Sequence, residues 1–168
     1  MNINEFVESG MFIQTLDLLE GIPKENIQKF REWMKTNGIV FEKSDKTKKL
    51  PDGLTEDKII IGQCFCNAQK VILCDNTFRY FEGIAYGKKF HGSIYHGFNI
   101  QDEIVSDYTL IFHEANFLEE TRDGEFVYFG IQIPEDFIKE NSPCSPTSKT
   151  TNAPLLYKYY LHNVSEAK

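Results

Sequence analysis

The chain changes periodicity at Asp75-Asn76-Thr77, and that switch limits the folds open to it. Before it, apolar residues recur at helical spacing. After it, aromatic and β-branched residues gather in short runs bounded by turn residues. Phe78 to Gly87, Gly92 to Gln101, Ile104 to Phe112 and Phe126 to Ile133 read as strands of an antiparallel sheet. Arg122-Asp123-Gly124-Glu125 reads as a hairpin turn before the last strand. Upstream, Asn4 to Glu20 has a helical pattern with a break near Gly10. Pro23 opens a second helix, with Ile27, Phe30, Trp33 and Met34 on its core face and Gly38 as its stop. Cys64 to Cys74 predicts a central helix, on which Cys64, Ala68, Val71 and Ile72 share a face. Pro134 to Ile138 opens a short helix. Asn141 to Pro154 reads as a mobile loop, and Leu155 to His162 is apolar enough to dock back on the body. Helices followed by strands predict an α+β fold: N-terminal helices and a central Cys-bearing helix packed on an antiparallel β-sheet.

Composition bounds the function. At 168 residues the chain suits a single domain, with a helical part and loop over 1–53, a core over 54–138 and a loop over 141–154. Its 41% apolar content marks a globular chain, and its net charge of −7 argues against a general nucleic-acid binder. No apolar run approaches the ~18 residues of a membrane span. The start, Met1-Asn2-Ile3-Asn4-Glu5, lacks the features of a signal peptide. Cys64, Cys66, Cys74 and Cys144 are therefore expected as free thiols in a reducing cytoplasm. Lys43, Lys46, Lys48 and Lys49, before Pro51-Asp52-Gly53, read as a solvated loop.

Three residues carry chemistry: Cys64, then His96, then Asp107. A thiol, an imidazole and a carboxylate are the parts of a cysteine nucleophile with its base and orienter. Cys64 is expected at a helix start, where unpaired amides and the helix dipole favour a thiolate and can hold an oxyanion. Gln63 is a candidate side-chain donor to that oxyanion. A hairpin with Gln101-Asp102 as its loop would place His96 directly opposite Asp107, with Cβ atoms about 4.5–5.5 Å apart. Ile94, Phe98, Val105 and Ile111 would surround them on that face. Buried together, the two polar groups would need each other or another partner. Singly, a helix cysteine is more often an apolar filler, the role assigned to Cys66 and Cys74. In this order and context the trio points to catalysis.

Gln63-Cys64, His96-Gly97-Phe98 and Asp107-Tyr108-Thr109 resemble the transglutaminase-like core of the papain-like cysteine enzymes, and Glu82-Gly83-Ile84-Ala85 resembles the strand before the histidine in that core. The resemblance runs roughly from Gly62 to Gly130. Phe78 to Thr109 is also similar to uncharacterised phage and bacterial proteins with the same motif order. The resemblance implies acyl transfer on a protein or peptide-like amide: hydrolysis, deamidation or Gln–amine crosslinking, with no cofactor. Phe98 stands where the family prefers Trp, and Tyr108 where Pro is frequent; these departures bear on reaction type more than on fold.

Rival readings have their own residues. A zinc site would draw on Cys64, Cys66, Cys74 and His91 or His96, but Cys-x-Cys on a helix points two ways and Cys-x-x-Cys is absent. His91 as the base has no acidic partner at comparable spacing, and His113 and His162 read as surface residues. A non-catalytic binding or inhibitor protein on a degenerate enzyme fold would use the acidity and the exposed aromatics expected at Tyr157, Tyr159 and Tyr160.

Overall fold

The computed structural model describes residues 22–42, 49–87, 92–113, 126–147 and 152–166. The expected helix over Asn4–Glu20, Lys43, Lys46 and Lys48, the turn at Arg122–Glu125 and His91 lie outside these residues, as does the His113 side chain.

The elements in chain order are α1 (Lys24–Asn37), β1 (Ile39–Phe41), a 3-10 turn (Glu56–Lys58), α2 (Cys64–Cys74), β2 (Arg79–Gly87), β3 (Gly92–Gln101), β4 (Ile104–Ser106), α3 (Tyr108–His113), β5 (Phe126–Ile133), α4 (Glu135–Asn141) and α5 (Leu156–Glu166). The strands form one antiparallel sheet in the order β1-β5-β2-β3-β4. The fold is α+β, as the pattern predicts, and no described helix is long and apolar enough to cross a membrane.

Alternation along the strands gives the sheet two buried faces. Tyr80, Ile84, Phe129, Ile131 and Ile133 pack with Ala68 and Ile72 of α2, Phe30 and Met34 of α1, and Leu156 and Tyr160 of α5, so Tyr160 is buried and Tyr157 and Tyr159 are half-buried rather than exposed. The opposite face gathers Phe41, Phe81, Ala85, Phe98, Ile100, Val105 and Tyr128. Phe41 on β1 lies 6.3 Å from Phe98 on β3, ring centre to ring centre. In a flat sheet those strands would stand about 14 Å apart. The sheet therefore curls around this second face.

Three expectations are corrected. The segment Ile104–Phe112 is a strand only to Ser106; α3 then begins at Tyr108. Asp107 decides the switch. Its Oδ1 accepts the Leu110 N–H at 3.2 Å and its carbonyl the Ile111 N–H at 2.9 Å, so it caps the helix. The hairpin register also differs. Asn99 pairs with Ser106, Ile100 with Val105 and Gln101 with Ile104, so Asp102-Glu103 is the loop and His96 is not paired with Asp107. Both loop residues have positive φ (54° and 61°), as a type I′ turn requires. Ile94 is exposed and Ile111 packs in a separate cluster, so neither shares the pocket of His96.

The third correction concerns the cysteines. Cys66 and Cys144 form a disulfide, with Cα atoms 5.6 Å apart, leaving Cys64 and Cys74 free. Ser142 Oγ donates to Gln69 Oε1 of α2 and accepts the Cys144 N–H at 2.9 Å, which brings the 142–145 segment against the helix. The bridge spans 78 residues and leaves no local mark in the sequence. Cys144→Ser is expected to cost about 2–4 kcal/mol through the freed unfolded chain. Urea midpoints measured with and without reductant check this; equal midpoints would mean that the bridge does not form in solution.

Candidate active site

The nucleophile candidate is placed by the turn before its helix. Gly62 has φ +76°, which bends the chain into α2, and Gln63 is the residue before its first turn. One turn later, Asn67 is fully buried. Its Oδ1 accepts the Ile60 N–H at 3.0 Å, while its Nδ2 donates to the Ile60 carbonyl at 2.8 Å and to Thr109 Oγ1 at 3.0 Å. Asn67 thus ties the loop before Cys64 to the helix that follows Asp107. This gives Thr109 of the Asp-x-Thr sequence its role.

α2 lies on the β3 face that carries Gly97 and Asn99. Asn99 Nδ2 donates to the Ala68 carbonyl at 2.9 Å. A Cβ on Gly97 would stand 2.8 Å from Phe65 Cα, so only glycine admits the helix this close to the strand. His96, by alternation, belongs to the other face, with Phe98. Nucleophile and base candidates therefore approach from opposite sides of one strand. They meet at the edge of β3, because β4 pairs only with Asn99–Gln101.

There the structure brings the trio together. His96 Nε2 lies 2.7 Å from Asp107 Oδ2. With Nε2 engaged, Nδ1 is the nitrogen left to face Cys64, whose sulfur is close enough to the imidazole to raise its pKa. Burial works against the imidazolium, but the negative charge of Asp107 and of a Cys64 thiolate outweighs it. The net effect holds His96 well above the ordinary histidine range. His96 is 3% exposed, Asp107 4% and Cys64 8%, so solvent screens these interactions weakly.

Sequence reasoning missed several supporting residues. Tyr128 of β5 donates its hydroxyl to Asp107 Oδ2 at 3.0 Å, so three donors, with His96 and the Leu110 N–H, fix that carboxylate. Glu82, noted only as part of a strand motif, is fully buried on the α2 side of the sheet. It accepts the hydroxyls of Tyr80 and Tyr95 and the Leu155 and Leu156 N–H groups at the start of α5. Burial pushes it up to about 7 against the pull of those hydrogen bonds. Tyr95 in turn packs on the Phe65 ring, with centres 4.7 Å apart, next to Cys64. Asn152 reaches the same helix start: its Oδ1 accepts the Phe65 N–H at 3.1 Å.

Gln63 is less informative. Its Oε1 is buried with no donor among the described residues, and no hydrogen bond there links its side chain to Cys64 or His96. For a zinc site, Cys66 is already committed to Cys144. Comparison with family models, curated proteins and solved structures returns no match.

Proposed function

We propose that this chain is a cysteine-dependent acyl-transfer enzyme acting on a protein or peptide-like amide, on a papain-like or transglutaminase-like core. Cys64 is the nucleophile, His96 its base and Asp107 the orienter. The observation that supports this best is the buried imidazole, bound to Asp107 through Nε2 and raised, against its burial, by Asp107 and Cys64. His96 takes the thiol proton, and the thiolate attacks the carbonyl carbon. The tetrahedral anion collapses as His96 returns the proton to the leaving amine. Water, deprotonated by His96, then attacks the thioester carbonyl; the second tetrahedral anion breaks its C–S bond, frees the Cys64 sulfur and releases the carboxylic acid, and hydrolysis is the reading preferred over crosslinking. The mechanism uses no cofactor.

A second reading, a non-catalytic binding protein on a degenerate enzyme fold, draws on the 8% exposure of Cys64. Iodoacetamide labelling separates the two. The enzyme reading expects Cys64 to be alkylated ahead of Cys74 at neutral pH, with the preference lost in His96→Ala. Slow labelling of both free thiols, unaffected by His96→Ala, would favour the binding reading. As for location, a cytoplasmic site of action must accommodate the Cys66–Cys144 bridge, which persists more readily in oxidising compartments.

A further inference from the structure

We infer that Asn152 supplies the second hydrogen-bond donor of an oxyanion site beside Cys64, which makes carbonyl compounds that pass through a tetrahedral anion the substrate class of this centre. The inference rests on the acyl-transfer reading above.

Thiolate attack on a carbonyl moves negative charge onto its oxygen, and fixed donors near the nucleophile must receive it. The start of α2 offers amides that no helical carbonyl can use. Two are already engaged: the Gln63 N–H donates to the Ile60 carbonyl at 3.1 Å, and the Phe65 N–H to Asn152 at 3.1 Å. The Cys64 N–H has no acceptor among the described residues. One donor remains on the backbone, and Asn152 stands beside it.

A carboxamide has an accepting oxygen and a donating nitrogen at opposite corners of a rigid plane. The Phe65 N–H holds Oδ1, which fixes where Nδ2 can point. That nitrogen has no acceptor among the described residues, and the residue is exposed. Its backbone is held independently of the side chain. Gln69 Nε2 donates to the Ala153 carbonyl at 2.8 Å, and Glu82 accepts the Leu155 N–H at 2.6 Å and the Leu156 N–H at 2.9 Å. The strap over 152–156 is thus clamped to both α2 and β2, with a free amide donor at its leading end.

Capping α2 is the simpler use of Asn152, and the two roles need different atoms. A cap needs only the oxygen, which an aspartate also provides. An oxyanion donor needs the nitrogen. Asn152→Asp keeps the first and removes the second, and Asn152→Ala removes both.

Two probes of Cys64 complete the test. Acylation by p-nitrophenyl acetate passes through a tetrahedral anion, with the acetyl group moving to sulfur and p-nitrophenolate leaving. Alkylation by iodoacetamide displaces iodide and forms no oxyanion. Both variants are expected to lose roughly 10²-fold or more in acylation rate. Alkylation should change by no more than about fivefold, the most expected of a surface charge at a helix start. Asn152→Asp acylating at the wild-type rate would overturn the inference and leave a cap. Equal losses in both reactions would also overturn it, by showing a general disturbance of the thiol. Wild-type protein in which neither probe prefers Cys64 would overturn the acyl-transfer reading itself, and this inference with it.

Discussion

Asp107→Asn is expected to slow acylation of Cys64 by up to about 10⁴-fold while leaving the fold in place. The direction follows from where the donors stand. Asp107 Oδ1 accepts the Leu110 N–H at 3.2 Å, and Oδ2 accepts the Tyr128 hydroxyl at 3.0 Å and faces His96 Nε2 at 2.7 Å. In asparagine one corner becomes an NH₂ group. The oxygen is retained at the helix cap, because the Leu110 N–H needs an acceptor, so the NH₂ group is turned toward His96. A donor there repels a proton on Nε2 and shifts it to Nδ1, the nitrogen that must receive the thiol proton. The imidazole is kept, in the tautomer that cannot act as base. Stopped-flow acylation with p-nitrophenyl acetate, with circular dichroism as the fold control, reads the effect. A rate within threefold of wild type would remove Asp107 from the mechanism. Tyr128→Phe leaves the tautomer intact and should cost roughly tenfold, the worth of one hydrogen bond to a charged group.

The contact between His96 and Asp107 shows how a wrong register can yield a right pair. The hairpin loop expected from the sequence is Gln101-Asp102, whereas the loop is Asp102-Glu103. That moves each partner by two residues, and a shift of two returns every side chain to the same face. Asp107 therefore stays on the face of His96, one step beyond the end of β4. The contact is made diagonally and by a helix cap rather than by a direct cross-strand pair. The same residue explains the misread strand. Tyr108-Thr109-Leu110-Ile111-Phe112 has strand-like composition, but Asp107 offers a cap, and Tyr108 packs with Phe78 and Val71 once the chain coils.

Local features are legible in the sequence. α2 begins and ends at Cys64 and Cys74, where the periodicity places it, and β3 and β5 match their aromatic runs. The long-range partners escaped because nothing near them in sequence distinguishes their roles. Asn152 bonds Phe65 across 87 residues, Glu82 caps α5 across 73 and 74, and Cys66 meets Cys144 across 78. Each of these contacts is made by a residue of 142–147 or 152–156, held against α2 or β2. A sequence rich in Pro, Ser, Thr and Asn reads as a loop and gives no hint of such contacts. Part of the expected mobile loop is in fact pinned: Cys144 by its bridge, Ala153 by Gln69.

The buried acid and the buried base also set how stability should vary with pH, and both act in the same direction. Glu82 is raised by burial from the ordinary 4.5 to about 7. Between those values the folded chain holds a proton that the unfolded chain has released, so stability must fall as pH rises through that window. His96 is held well above its ordinary 6.5: burial opposes the imidazolium, but Asp107 and Cys64 outweigh it. Its contribution is complete below 6.5 and is lost as pH rises toward the folded value, again a decline. Each group alone can give a slope of at most roughly 1.4 kcal/mol per pH unit within its window. The protein should therefore be more stable near pH 5 than above neutral pH, losing stability first through the Glu82 window and then above 6.5 as His96 contributes. A neutral Glu82 fits its pocket, since either tyrosine hydroxyl can turn to accept its proton. Urea midpoints from pH 4.5 to 9 test this, with slopes rather than absolute stabilities as the reading. Glu82→Gln should flatten the lower part of the curve and leave the upper part, whereas His96→Gln should do the reverse. Wild-type stability that rises from pH 5 to pH 7 would mean that neither group is buried with the partners described.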